Sequence, residues 1–263
     1  MKELLKRVLT ALILIPIVFG IFYISGIPLL LFIMLFLAGG MLEYLNLYRL
    51  QNYISIILLI ILMLAFYYLN LDNFIYFSTL LLFLYTTFYL ARWQREYSYS
   101  FEKFAGELFV FLYLLIGGIF IFLIRQNLGF KYIILFFLSV WTYDTGAFLF
   151  GKMLGRHKLA YKISPNKTIE GAIFGFLTLF IGMLIYSFLR WNDFQLTFLD
   201  ILLFAMLVSF TATLGDLVES VWKREQGKKD SSHLFPGHGG VLDRIDSLVL
   251  TAPFFYLFFK LLF

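Results

Sequence analysis

The chain has no cysteine and only three histidines. Disulfides and thiol chemistry are thereby excluded, and redox state gives no guide to compartment. Charge is scarce as well: 14% of the 263 residues are Asp, Glu, Lys or Arg, while 62% are hydrophobic, a profile far from that of a soluble domain. Also missing are the period-two segments of about ten residues that a membrane barrel requires; the apolar runs are near 20 residues, the length of a spanning helix. Lipid then leaves only the helical solution. No small-residue cleavage site follows Lys2, Lys6, Arg7 and the first apolar run, which reads as a retained first helix. The expected fold is an all-α polytopic integral membrane protein.

Apolar segments run at about residues 7–25, 27–47, 52–70, 73–91, 105–125, 131–151, 168–190, 197–219 and 241–262, which makes about nine transmembrane helices. Spans three and four are joined through Asn70-Leu71-Asp72-Asn73, the place where a miscount would fall. With a cytoplasmic N-terminus, the tail and the 2/3, 4/5, 6/7 and 8/9 loops hold 17 of the 21 Lys and Arg, and the opposite loops hold only Arg125, Lys131 and Arg190. The positive-inside rule thus puts the N-terminus in the cytoplasm and the C-terminus outside, and it explains the net charge of +5 with no nucleic-acid partner. Two regions follow: residues 1–130 with spans 1 to 5, and residues 131–263 with spans 6 to 9 and the cytoplasmic 6/7 and 8/9 loops.

Polar residues concentrate in two passages of the second region. Gly215 to Leu248 contains six acids, five bases and two histidines between apolar runs. Asp216, Glu219 and Asp246 lie where this passage meets hydrophobic sequence, and a charge at bilayer depth costs about 2.5 to 3.5 kcal/mol, so it normally faces a cavity and has a partner. Asp216, Glu219, Ser220 and Lys223 follow i, i+3, i+4 and i+7 and share one helix face; Asp243 and Asp246 are i and i+3. Gly237, Gly239 and Gly240 fit either a phosphate cradle or a tight turn.

The other passage starts at Asp144, inside the sixth span among small residues that permit close helix packing. It ends at Ser164-Pro165-Asn166-Lys167-Thr168. Ser164-Pro165 predicts an N-cap and first helical residue, which would put Lys167 on the first turn of the seventh span, beside amides that favour an anion. Glu43, in the second span, admits three readings: a site residue, a helix–helix hydrogen bond, or an interfacial side chain. His157 and His233 read as loop residues, and His238 either as a general base or as a structural or phosphate-donating group, since a phosphate monoester nucleophile is already ionised and needs no strong base.

Asp144, Asp216, Asp243 and Asp246, ringed by Lys167, Lys223, Arg224, Lys228, Lys229 and Arg244, make a carboxylate cluster that suits a hard cation such as magnesium rather than zinc. Surrounding bases suit phosphate oxygens, and the two together describe phosphoryl or nucleotidyl transfer at a cytoplasmic membrane face. An ion-pair network closing the helix ends is the other reading of the same spacing.

From Ser220 to Asp246 the spaced elements S-x-x-K-R, K-D-S and P-G-H-G-G-x-x-D-R-x-D occur in order over 27 residues. This stretch closely resembles the signature of the phosphatidate cytidylyltransferase (CDP-diacylglycerol synthase) family, and D-T-G-A-F at Asp144 with S-P-N-K-T-I-E-G from Ser164 extends the resemblance across the C-terminal half. The resemblance implies reaction of CTP with phosphatidic acid to CDP-diacylglycerol and pyrophosphate, with Mg2+, in a cell (inner) membrane and on its cytoplasmic side. It implies Asp144, Asp216 and Asp246 as metal ligands and, with Lys167 and Asp243, as catalytic residues. Ser164, Lys167, Ser220, Lys223, Arg224, Lys229, His238, Gly239, Gly240 and Arg244 would contact substrate. A second cation and a homodimer are left open. The rivals are a membrane CTP-dependent lipid-alcohol kinase and an ion-coupled secondary transporter. The D-G-x-x-A-R run of a CDP-alcohol phosphotransferase is absent, and no inverted repeat relates the two halves.

Overall fold

A computed structural model describes residues 16–50, 52–95, 100–189, 196–232 and 239–262. The described chain is almost wholly helical: α1 (residues 16–24), α2 (Gly26–Leu47), α3 (Ile54–Tyr68), α4 (Leu71–Arg95), α5 (Phe101–Leu123), α6 (Phe130–Leu154), α7 (Ile169–Phe188), α8 (Phe198–Glu225) and α9 (Leu242–Leu262). A single π turn, Ile124–Leu128, joins α5 to α6. Among the described residues seven helices are long and apolar enough to cross a membrane, so the protein is an integral membrane protein.

α3 and α4 are separate helices at the place where a miscount was expected, but α3 has only 15 residues. At 1.5 Å per residue it reaches about 22 Å, short of the roughly 30 Å hydrocarbon core. α8 deviates in the opposite sense. Its 28 residues reach about 42 Å, beyond a roughly 30 Å core, so one end overhangs. The end carrying Asp216 to Glu225 is the polar one.

The core is a mesh of Leu and Phe side chains shared by α2, α5, α6, α8 and α9. Phe204, Phe255 and Phe259 are 0% exposed and pack as a triad with centroids 5.7, 5.6 and 4.9 Å apart, pinning α8 to α9. Buried Thr211 and Thr251 add an interhelical hydrogen bond of 3.1 Å, the type of polar contact that substitutes for hydrophobic drive between helices in lipid. Nearer the polar end the two backbones almost touch: a Cβ on Gly215 would lie 2.4 Å from the Asp246 carbonyl oxygen. That approach brings the side chains of Asp216 and Asp246 into one neighbourhood.

The structure corrects the start of α7. Ser164–Thr168 is not a cap and first turn but strand β2, paired antiparallel with β1 (Lys158–Ala160) through Lys158↔Thr168 and Ala160↔Ser164. A residue before proline is pushed to extended backbone, and Asn166 and Thr168 are weak helix formers. The N-cap is Thr168, whose hydroxyl accepts from Gly171 N at 3.1 Å. With the Ile169 amide donating to His157 O at 2.9 Å and the Glu170 carboxylate clasping the His157 ring and amide, this helix end offers no anion cradle.

Candidate active site

β2 carries Lys167 toward α8, where its ammonium lies 2.7 Å from Asp216 Oδ2. Asp216 Oδ1 accepts from Ser220 Oγ, one turn on, at 3.2 Å. The helical spacing of Asp216, Glu219, Ser220 and Lys223 predicted from sequence is therefore realised on the overhanging end of α8.

Asp144, from α6, lies within electrostatic range of both Lys167 and Asp216, and Asp246, from α9, within range of Asp216, Asp144 and Lys223. Asp144 keeps exposed surface and Asp246 is half-buried. Asp246 is fixed by its own surroundings: Ser247 N donates to Oδ1 at 2.7 Å, and Tyr113 Oη from α5 donates to its carbonyl at 2.6 Å. Three helices and a strand thus contribute to one polar neighbourhood. Among the described residues no three His, Asp or Glu side chains stand close enough to hold a metal ion; the carboxylates share a region without closing a ligand set.

A second layer lies beneath. Lys223, 8% exposed, is paired with Glu219 and donates to Asp243 Oδ1 at 2.6 Å. Asp243 Oδ2 accepts from Gly240 N at 2.8 Å, Ser231 N at 3.1 Å and Ser231 Oγ at 2.8 Å. Asp243 is thus filled by protein donors and organises the loop before α9. Glu219 is 1% exposed, and its Oε1 has no hydrogen-bond donor among the described residues. Such an oxygen is costly to bury.

The remaining sequence-predicted residues fall in three groups. Arg224 spends its guanidinium on backbone, Nε to Ile163 O at 3.0 Å and Nη1 to Lys228 O at 2.8 Å. Lys228, Lys229 and Arg244 are exposed, and Ser164 is half-buried at the start of β2. Gly239 has φ +77° and lies against Asp243. His238, with His233, lies outside the described residues.

Two participants escaped sequence reasoning. Tyr113 is one of 17 tyrosines, and nothing in its spacing marks it. Glu43 had a signal, an acid within an apolar span, but its donors lie 188 to 199 positions away, a pairing that no local pattern encodes. Near them, Tyr48 donates to Glu225 Oε2 at 2.5 Å, and burial, with this carboxylate, holds the phenol well above its ordinary range.

Comparison with known proteins sets this geometry in context. The chain is 44% identical over 155 residues to a phosphatidate cytidylyltransferase of Staphylococcus haemolyticus, 59% of this chain and 58% of the relative. It is 46% identical over 156 residues to the protein of that name from Staphylococcus aureus strain COL, again 59% of this chain and 58% of the relative. The match therefore spans 58% of the length of these relatives. A model of the cytidylyltransferase family matches residues 5–262, nearly the whole chain, and the protein belongs to that family.

Proposed function

We propose that the protein is a phosphatidate cytidylyltransferase, joining CTP and phosphatidic acid into CDP-diacylglycerol with release of pyrophosphate. The observation that carries this reading is the meeting of Lys167, Asp216, Asp144 and Asp246 from β2, α8, α6 and α9 at the overhanging end of α8, with all but Asp216 inside the stretches that carry the family motifs. We place nine spans in the cell membrane, the short α3 crossing where the bilayer thins around it, with the N-terminus and this site on the cytoplasmic side and the C-terminus outside, following the distribution of Lys and Arg. The lipid phosphate then lies at the headgroup plane beside the site, its chains between helices, and CTP comes from water. Most reacting groups belong to the catalytic region, residues 131–263.

The residues fit magnesium in kind. Asp144, Asp216, Glu219, Asp243 and Asp246 outnumber the two lysines among them, Lys167 and Lys223, and every donor is oxygen, the ligand type a hard cation takes. Asp144, Asp216 and Asp246 would hold the ion, which when bound would neutralise charge on the triphosphate. Lys167 is placed to exchange its contact with Asp216 for a phosphate oxygen. Lys223, pinned between Glu219 and Asp243, keeps a fixed positive charge close by. The lipid phosphate is already ionised near neutral pH (second pKa about 6), so its attack on the α-phosphorus requires no strong base, and the chain's task is orientation and charge compensation.

The test supplies purified protein with labelled CTP, phosphatidic acid and magnesium and follows both CDP-lipid and pyrophosphate. Equal formation of the two is expected, together with its loss in Asp246→Asn. Neutralising one acid in a crowd of acids relieves repulsion, so this variant should melt no lower than wild type. Phosphorylated lipid plus CDP would instead indicate a kinase, and near-normal turnover of Asp246→Asn would remove Asp246 from the reaction.

A further inference from the structure

Outside the groups that meet at Asp216, Glu43 on α2 is a buried charge, 6% exposed, with both oxygens engaged. Its Oε1 accepts from Ser232 Oγ at 2.6 Å and Val241 N at 2.8 Å. Its Oε2 accepts from Ser231 Oγ and Leu242 N, both at 2.9 Å. All four donors come from two short segments, the serines of the K-D-S-S run and the first residues of α9. The amides of Val241 and Leu242 are helix-start donors that have no partner within α9, and a carboxylate there is also favoured by the helix dipole.

The contact continues inward. The Ser231 hydroxyl has one proton and stands 2.9 Å from Glu43 Oε2 and 2.8 Å from Asp243 Oδ2, so it bridges two carboxylates. Asp243 in turn fixes Lys223 at 2.6 Å. Gly240 is part of this arrangement, because a Cβ there would lie 2.1 Å from Ser231 Oγ and 2.4 Å from Glu43 Oε2. Its missing side chain makes room for the carboxylate.

Resting on the function proposed above, we infer that Glu43 is a positioning residue for the reaction: through Ser231, Ser232 and the start of α9 it sets the loop bearing Lys228 and Lys229 and, through Asp243, the place of Lys223. A helix of the first region thus completes the site of the second. Glu43 touches no reacting group itself. The elements it sets lie at the water-facing end, where the soluble nucleotide enters, so the effect falls on CTP rather than on the lipid.

Glu43→Gln keeps the shape but turns one acceptor oxygen into an NH2 facing two donors. Losing well-made bonds to a charged group corresponds to about tenfold or more in affinity. The expected result in the full chain, in detergent with lipid, is a CTP KM raised about tenfold or more with the phosphatidate KM within about twofold. Tryptic cleavage after Lys228 and Lys229 should also quicken. Ser232→Ala, which removes one donor to Glu43, should move both readouts the same way by less, and it carries the test alone if Glu43→Gln does not fold. Unchanged KM and cleavage, or a fall in kcat alone with unchanged cleavage, overturns the inference. Cleavage needs no substrate, so a wild type that makes no CDP-lipid sinks the functional reading separately, while the cleavage comparison still decides whether Glu43 sets the loop.

Discussion

Lys167 on β2 and Asp216 on α8 meet at 2.7 Å with side chains 25% and 35% exposed. That exposure limits what the pair does for the fold, since accessible ion pairs contribute about 0.2–1 kcal/mol. The same accessibility leaves the ammonium within reach of an incoming phosphate. Lys167→Met is therefore expected to melt close to wild type and to lose about a hundredfold or more of CDP-lipid formation. Lys167→Arg, which keeps the charge with different geometry, should recover part of it. A variant that loses melting temperature and activity together would assign Lys167 to the fold instead.

Gly215 sets the approach of α8 to α9, and the geometry gives its substitution a direction. Alanine puts a Cβ 2.4 Å from the Asp246 carbonyl oxygen and 3.0 Å from Ser247 Cα, contacts with backbone that no rotamer relieves. Overpacking of this kind costs about 1–3 kcal/mol. Gly215→Ala should lower the melting temperature and, by parting Asp216 from Asp246, lower turnover by more than the folded fraction accounts for. Melting and activity equal to wild type would show that the helices slide apart without consequence for the site.

The elements legible in the sequence were those with a local cause. Apolar runs near 20 residues gave the helices, and i, i+3, i+4, i+7 spacing gave the face carrying Asp216 to Lys223. Ser164-Pro165 matches a helix start as well as an extended segment, and pairing with Lys158–Ala160 reinforces the local bias toward extended backbone. α8 was cut short at its polar residues because hydropathy ends there while the helix continues to Glu225. Glu43 was visible as an anomaly but not as a partner. Its role depends on α2 lying beside the start of α9, a tertiary fact.

Arg224 separates two readings of the basic cluster. The family resemblance implies a phosphate contact, whereas the guanidinium here straps Ile163, in the hairpin, to Lys228, in the loop after α8. A strap depends on the fork of donors, because one planar group must reach two carbonyls; a lysine ammonium cannot reproduce that geometry, although it conserves charge. A phosphate contact depends chiefly on the charge. If the strap is the main role, Arg224→Lys should resemble Arg224→Ala: turnover falls in both because Lys167, carried by the hairpin, no longer meets Asp216 reliably, and trypsin cuts sooner at Lys158 and Lys162. If the charge is the main role, Arg224→Lys should keep most of the wild-type CTP KM and the alanine variant alone should lose it. Measuring CTP KM and hairpin cleavage for both variants decides the matter, and equal behaviour of Arg224→Lys and wild type in the two assays would dismiss the strap.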